Sequence, residues 1–452
     1  MKIFEHFLCL LVSVICLLLS EADIPVELYI LITIPYFWYI VKSVKQVPNG
    51  QLLPPFLLSL STFVTIIIGV LPIKYNWFPL IYYVYGAFAN ATLCKCVAIS
   101  MVGLSSLWLS FLLLYKKKML LIGDVKSVRR PFLNTQSFSY CSALLLMLFY
   151  FVLSGNFGYF SKDSSLDNIT NKLYTLILFI PTAYFLYDNN SGKNKRKYLL
   201  VFIILSVLGA ISGSKSFILL PFVILVIVEY IKTGKWTNKY MKYLPTILLI
   251  SFIIIIPIRY VISEKQGSLS REQSIDLVSE VAASSDNTVL GMVTSDFFMR
   301  INYVPVLASA VDYKGSVPSS ITNLWEYTFM SPIYAIVPRS IFPSKPENDF
   351  TKWYAYNVCH STEENNMSAT YQGILYMNGG ILSVIFGFLL VGVLFYAISK
   401  FWLNANYIYI YISQIMTFII LPAEPWVLFT SIIQNFILFY IFHLLITNKH
   451  RV

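Results

Sequence analysis

The chain has 452 residues, 57% of them hydrophobic and only 12% charged, with a net charge of +11 and a mean hydropathy of +0.69. A soluble domain carries about 25% charged residues, so this sequence cannot cover a water-facing surface and must be a membrane protein. Of its 33 Lys/Arg and 22 Asp/Glu, residues 262–371 hold 7 and 12, leaving 26 and 10 for the rest. Those basic residues cluster at short hydrophilic breaks between apolar runs, which is the positive-inside pattern. The positive balance therefore reports topology and contact with anionic membrane lipids, and it argues against a nucleic-acid partner.

In chain order, residues 1–20 read as a retained span rather than a removed signal peptide, although Ser20-Glu21-Ala22 is a weak small-x-small site. Residues 24–41 make a hairpin with it, closed by Lys42 and Lys45 on the cytoplasmic side. Residues 55–71 form a third span, 74–86 an aromatic interfacial stretch, and 90–115 a fourth span long enough that it must tilt or break. Lys116, Lys117, Lys118, Lys126, Arg129 and Arg130 make the next loop cytoplasmic. Runs 138–153 and 173–187 go out and back. Two shorter runs, 198–210 and 217–230, flank Ser212-Gly213-Ser214-Lys215-Ser216. Basic markers on both sides put that tip at the outer end of a short hairpin, sunk below the surface, where Lys215 is costly unless it is paired or faces a ligand. Residues 244–261 lead out to the long polar stretch, and 373–399, 401–421 and 427–446 complete the chain.

The expectation is an all-α polytopic membrane protein with about 12 transmembrane helices and both termini cytoplasmic. Residues 1–261 hold the first nine spans, 262–372 one large extracytoplasmic loop, and 373–452 the last three. Within the loop, 289–310 reads as an amphipathic helix with Arg300 on or beside its apolar face. Residues 324–337 read as a re-entrant or interfacial segment that delivers Pro338-Arg339 to the membrane surface. Of six Cys only Cys359 lies in the loop, so no disulfide framework is expected. Cys94-Lys95-Cys96 has no further ligands at usable spacing and reads as buried small side chains rather than a metal pair.

A many-span chain with one large late outer loop resembles the O-antigen polymerase (Wzy-type) family of oligosaccharide repeat-unit polymerases. The resemblance rests on Arg300-Ile301-Asn302-Tyr303, on Ile336-Val337-Pro338-Arg339-Ser340-Ile341-Phe342-Pro343-Ser344-Lys345-Pro346, and on the small-residue-rich span start at 371–380. It covers roughly residues 198–390. The Ser-Gly-Ser-Lys-Ser tip resembles a place where the family often has Ser-Gly-Ser-Arg; Lys215 departs from it, and an ammonium lacks the paired contacts of a guanidinium.

The resemblance implies that a glycan chain on undecaprenyl diphosphate is the donor and a lipid-linked repeat unit the acceptor, in the bacterial cytoplasmic (inner) membrane. The acceptor hydroxyl attacks the anomeric carbon and lipid diphosphate leaves. Developing charge on that leaving group is best met by fixed cations, for which Arg339 and Arg300 lead, followed by Lys215, Arg259 and Lys345. Arg259 could equally snorkel to headgroups, Arg300 could pair with Asp296 one turn away, and Lys345 could sit in a solvated turn. His360, the only His of the loop, is the candidate base. Tyr303 and Tyr371, with Trp353 and Tyr354, are candidates to stack on sugars, although a membrane-surface aromatic belt has the same composition. No metal or cofactor is called for if Arg and Lys supply the charge, and the outer loops hold no Asp-x-Asp. A chain-length regulator is a further candidate partner. The product the resemblance implies is an O-antigen or capsule-type polysaccharide. A polysaccharide flippase or exporter would place charges within its spans and keep its loops evenly short; an O-antigen ligase-type transferase that moves the finished glycan to another acceptor would use similar chemistry.

Overall fold

The computed structural model describes residues 3–22, 24–46, 52–77, 87–117, 137–154, 192–211, 215–233, 302–313, 350–360 and 369–402. It also describes single positions between 173 and 182, at 242, 243, 246, 315, 342 and 412, and between 435 and 441. Among the described residues all regular structure is helical. Helix α1 is Ile3–Leu18, extended by a 3₁₀ turn, Leu19–Glu21. Helix α2 is Val26–Gln46. Helix α3, Leu53–Thr62, runs through a π turn, Phe63–Ile67, towards α4, Val70–Lys74. Helices α5 (Asn90–Lys117), α6 (Ser137–Leu153), α7 (Gly192–Ile211) and α8 (Lys215–Thr233) follow. In the expected loop lie α9, Val304–Asp312, and α10, Phe350–Trp353, which passes into a second π turn, Tyr354–Val358. Helix α11 is Tyr371–Trp402.

Four described segments are long and apolar enough to cross a membrane: Ile3–Glu21, Leu53–Lys74, Asn90–Tyr115 and Tyr371–Lys400, with hydropathies of 2.1 to 2.7. They are the first, third, fourth and tenth expected runs, and they make this a multi-pass membrane protein. The second, fifth, seventh and eighth runs are also helical, as α2, α6, α7 and α8. The ninth, eleventh and twelfth lie outside the described residues except at single positions.

The two hairpin helices are longer than their apolar runs suggest. Helix α8 has 19 residues and is about 28 Å long at 1.5 Å per residue, because it begins at Lys215 and continues past residue 230 to Thr233. Lys215 is its first residue, the end of a helix that disfavours a cation. Ser206 on α7 donates to the Ile218 carbonyl of α8 at 3.1 Å, so the pair is held close.

Helix α5 is the axis of the bundle, with 83% of its apolar window buried. Helices α1 and α11 pack along it. In its C-terminal half Trp108 stacks on His6 with ring centroids 5.7 Å apart, and His6 shares a 2.8 Å hydrogen bond with Tyr36. Trp108 Nε1 donates to Ser59 Oγ at 2.8 Å, so polar contacts link α1, α2, α3 and α5 where lipid offers none. Against α11 the contact depends on glycine. A Cβ at Gly103 would stand 2.9 Å from the Phe388 ring, and one at Gly392 only 2.4 Å from the Leu107 carbonyl oxygen. Small residues let helix backbones approach in a solvent that supplies no hydrophobic driving force.

Helix α11 is not one straight span. Gly379 and Gly380 leave the helical region, and Gly380 has φ +63°. The chain folds back there. Tyr371 donates its hydroxyl to the Gly387 carbonyl at 3.2 Å, and a Cβ on Gly387 would meet Leu375 at 2.4 Å. Residues 371–378 thus lie antiparallel on the longer limb, and residues 381–402 are long enough to span alone.

Gly392→Val should drive the α5–α11 contact apart and cost about 1–3 kcal/mol, read as a lower unfolding midpoint of the detergent-purified protein.

Candidate functional site

One end of the bundle gathers the loop segments. Its rim is set by ion pairs. Lys74 contacts both Glu27 carboxylate oxygens at 2.6 Å, Tyr75 donates to the same carboxylate, and Lys95 pairs with Glu21. Asn90 donates to the Ile24 carbonyl at 2.8 Å, tying the start of α5 to the α1–α2 turn.

Asn302 and Tyr303 reach below this rim. Tyr303 N donates to the Thr65 carbonyl at 3.1 Å, and Thr65 lies nine positions before Lys74, about 13 Å deeper along a helix. The π turn makes this docking available. Ile68 N bonds Phe63 O, five residues back, and a π turn disturbs the regular ladder so that nearby carbonyls are open to other donors. Asn302 Nδ2 donates to the Gly69 carbonyl at 2.7 Å, while its Oδ1 accepts from Val304 N at 2.9 Å. Asn302 is 5% exposed. Gly69 must be glycine, because a Cβ there would stand 2.8 Å from Asn302 Oδ1. From this depth α9, nine residues or about 13 Å long, climbs to Asp312. There Asp312 accepts the Thr92 hydroxyl at 2.6 Å in the first turn of α5.

This corrects the continuous helix expected over 289–310. Asn302 and Tyr303 are outside the helix, which begins at Val304 and runs to Asp312. The physical reason was visible in Asn302 and Pro305: the Asn side chain takes the Val304 N–H, and Pro is tolerated in a first turn but not in a helix interior.

A second apolar cluster seats the 350–360 segment on α9, through Phe350, Tyr354, Val358 and Cys359 with Val306, Ala310 and Ile374. Tyr354 donates to the Val306 carbonyl at 2.7 Å. Burial pushes the Cys359 thiol up to about 12, so it stays protonated and serves as packing. All six cysteines are free, and Cys94 and Cys96 are both buried, as the sequence reading expected. Thr370 caps the short limb of α11, accepting from Gly373 N at 3.0 Å.

Of the residues singled out by sequence, Arg259, Arg300, Arg339 and Lys345 lie outside the described residues, as does the re-entrant segment expected over 324–337. Lys215 opens α8. Tyr303 is half-buried against the main core. Tyr371 is buried, with its ring edge-on to Phe388 at 5.2 Å; hydroxyl and ring are both engaged, so in this conformation it braces the folded α11. Tyr354 is likewise enclosed, a position for packing and not for stacking on a sugar. His360 is exposed and has φ +53°. It ends the π turn in the left-handed region, where His is among the enriched non-glycine residues.

Sequence reasoning passed over Asn302 as an anchor, and also Gly69 and Gln372. Thr65 Oγ1, Asn90 Oδ1 and Gln372 Oε1 are buried without a hydrogen-bond partner among the described residues. Buried acceptors of this kind suit an incoming donor, such as a guanidinium or a sugar hydroxyl. Among the described residues no group of three or more His, Cys, Asp or Glu could hold a metal.

Asn302→Ala should orphan the Gly69 carbonyl and the Val304 N–H and cost about 1–3 kcal/mol. Asn302→Asp, which keeps the acceptor but not the donor, should also destabilise. Unfolding midpoints in nanodiscs, with protease nicking of the loop, measure both.

A family model described as O-antigen polysaccharide polymerase Wzy matches residues 1–449. No curated protein and no solved structure matches the chain.

Proposed function

The chain belongs to the O-antigen polysaccharide polymerase Wzy family, and on that premise we propose that it joins undecaprenyl-diphosphate-linked repeat units by glycosyl transfer at the outer face of the bacterial inner membrane. The family as a whole polymerises lipid-linked oligosaccharide repeat units. The match over residues 1–449 carries this reading. It is supported by the bundle end where Glu21, Lys74, Lys95 and Asp312 form a charged rim around inserted loop segments. The positive-inside distribution supports assigning that end to the outer face, with both termini cytoplasmic.

In the proposed step the acceptor hydroxyl attacks the anomeric carbon of the donor chain. The new C–O bond forms as the bond from that carbon to the diphosphate oxygen breaks, and lipid diphosphate departs with the electron pair. Arg339 and Arg300 stabilise that charge, with Lys215, Arg259 and Lys345 as further contacts to phosphate oxygens. Arg300 stands two residues before Asn302, so the Asn302 anchor limits how far it can range from the π turn of the third span. His360 takes the acceptor proton. Tyr303, three residues after Arg300 in the chain, is the candidate aromatic for stacking on the sugar.

The first test is complementation of a deletion strain, reading surface glycan by gel electrophoresis at matched membrane levels. Deletion should leave single repeat units, and the wild-type chain should restore a ladder that Arg339→Ala does not. Long polymer retained inside deletion cells would instead favour an exporter. His360→Asn keeps a residue suited to the left-handed turn and removes the base. It should leave the unfolding midpoint unchanged and slow chain growth by roughly 100-fold. Unchanged growth would reduce His360 to a turn residue.

A further inference from the structure

We infer that the depression formed by Lys352, Trp353, Tyr356 and Asn357 is a sugar-binding subsite, which holds one residue of the glycan apart from the reacting bond. This rests on the polymerase reading.

The four side chains come from consecutive turns of one short element. In a regular α-helix residues 352, 353, 356 and 357 share a face. Here Tyr354–Val358 is a π turn, closed by Cys359 N on the Tyr354 carbonyl at 3.0 Å, and the wider turn spreads that face. It lines a hollow of about 360 Å³, at the small end of ligand sites and suited to a single sugar ring rather than a lipid tail. Tyr356 is 51% exposed. Asn357 is exposed and uses one amide hydrogen on the Trp353 carbonyl at 3.0 Å, so its oxygen and second hydrogen can meet hydroxyls. Lys352 is exposed and adds three N–H donors.

The support behind this face is rigid. Phe350 and Tyr354 are fully enclosed, and the Tyr354 hydroxyl is fixed on Val306. Trp353 packs edge-on against Tyr313 at 5.7 Å. Lys352, Tyr356 and Asn357 are the exposed part of this surface and Trp353 belongs to the buried platform; a surface so supported loses little order when it binds.

The residue types select the ligand class. A pyranose has a face of C–H bonds and a periphery of hydroxyls. Aromatic rings such as Tyr356 receive the first, and an amide and an ammonium bind the second. A diphosphate would call for the paired contacts of a guanidinium, and a divalent cation for carboxylates; among the described residues the hollow is lined by neither. An exposed Tyr beside a Lys also suits a headgroup belt, so the test must separate the two.

The probe is lipid-free glycan of one to several repeat units, released by mild acid from the host's own surface polymer. Its binding to the full-length protein in nanodiscs is followed by saturation-transfer NMR and titration. Wild type should bind. Tyr356→Ala should weaken binding about tenfold, while Tyr356→Phe stays within about twofold. In the deletion strain Tyr356→Ala should still join repeats, but its ladder should shift to shorter chains. The subsite is overturned if the wild-type protein does not bind the fragments, or if Tyr356→Ala binds them equally well. It is equally overturned if Tyr356→Ala alters only quenching by brominated lipids, which would mark a headgroup belt. Failure of the wild-type gene to restore any ladder would sink the polymerase reading itself; a restored ladder with unaltered Tyr356→Ala binding would sink only the subsite.

Discussion

The arrangement turns on a constraint imposed by lipid. A backbone segment cannot enter an apolar bundle unless each N–H and C=O it brings finds a partner. Residues 302–303 enter one non-helically, and their polar groups are met by the third span. The Thr65 carbonyl accepts from Tyr303 N, the Gly69 carbonyl from the Asn302 amide, and the same amide accepts from Val304 N. The π turn Phe63–Ile67 and the missing Cβ at Gly69 are therefore two halves of one device: one frees acceptors in a helix, the other lets the loop come close enough to use them.

The rest of the site is stacked on that anchor. Helix α9 rises from it to Asp312, the 350–360 segment sits on α9, and the folded limb of α11 closes against both. Each layer uses a departure from regular helix. There is a π turn under Asn302, a second π turn under Tyr356 and Asn357, a left-handed residue at His360, and a helix broken at Gly379 and Gly380. Such departures concentrate where function demands geometry that regular structure does not supply. In a family that handles lipid-linked glycan, they place polar and aromatic groups at one end of the bundle.

Beneath this the bundle is conservative. Helix α5 is enclosed by α1, α2, α3 and α11, and its approach to α11 is closest at Gly103 and Gly392. A close backbone contact has few alternative registers, so it holds α11, and with it the folded limb, in place. The rim charges do the complementary work. Glu21–Lys95 and Glu27–Lys74 tie the turns between spans to each other where water begins, and exposed pairs of this kind fix geometry more than they add stability.

Much of this was legible from residue order. Apolar run length set the ends of α5 and α6 to within a residue or two, because a helix in lipid must satisfy its own backbone over a fixed thickness. The polar stretch after residue 261 stood out by its charge. Helix α2 and helix α8 outran their apolar runs because Lys42 and Lys45 in one, and Lys232 with Thr233 in the other, can carry a helix on into the headgroup layer. What hydropathy could not register was any contact between residues far apart in sequence. Asn302 is an ordinary loop asparagine until the Gly69 carbonyl, 233 positions away, is set beside it. Tyr371 resembles a surface aromatic until the Gly380 turn lays it on Phe388. Composition and periodicity alone determined that this chain spans a membrane and roughly where. Which polar groups meet inside it was decided only by the tertiary structure, because unpaired backbone atoms in an apolar medium take the partners that packing brings within 3 Å.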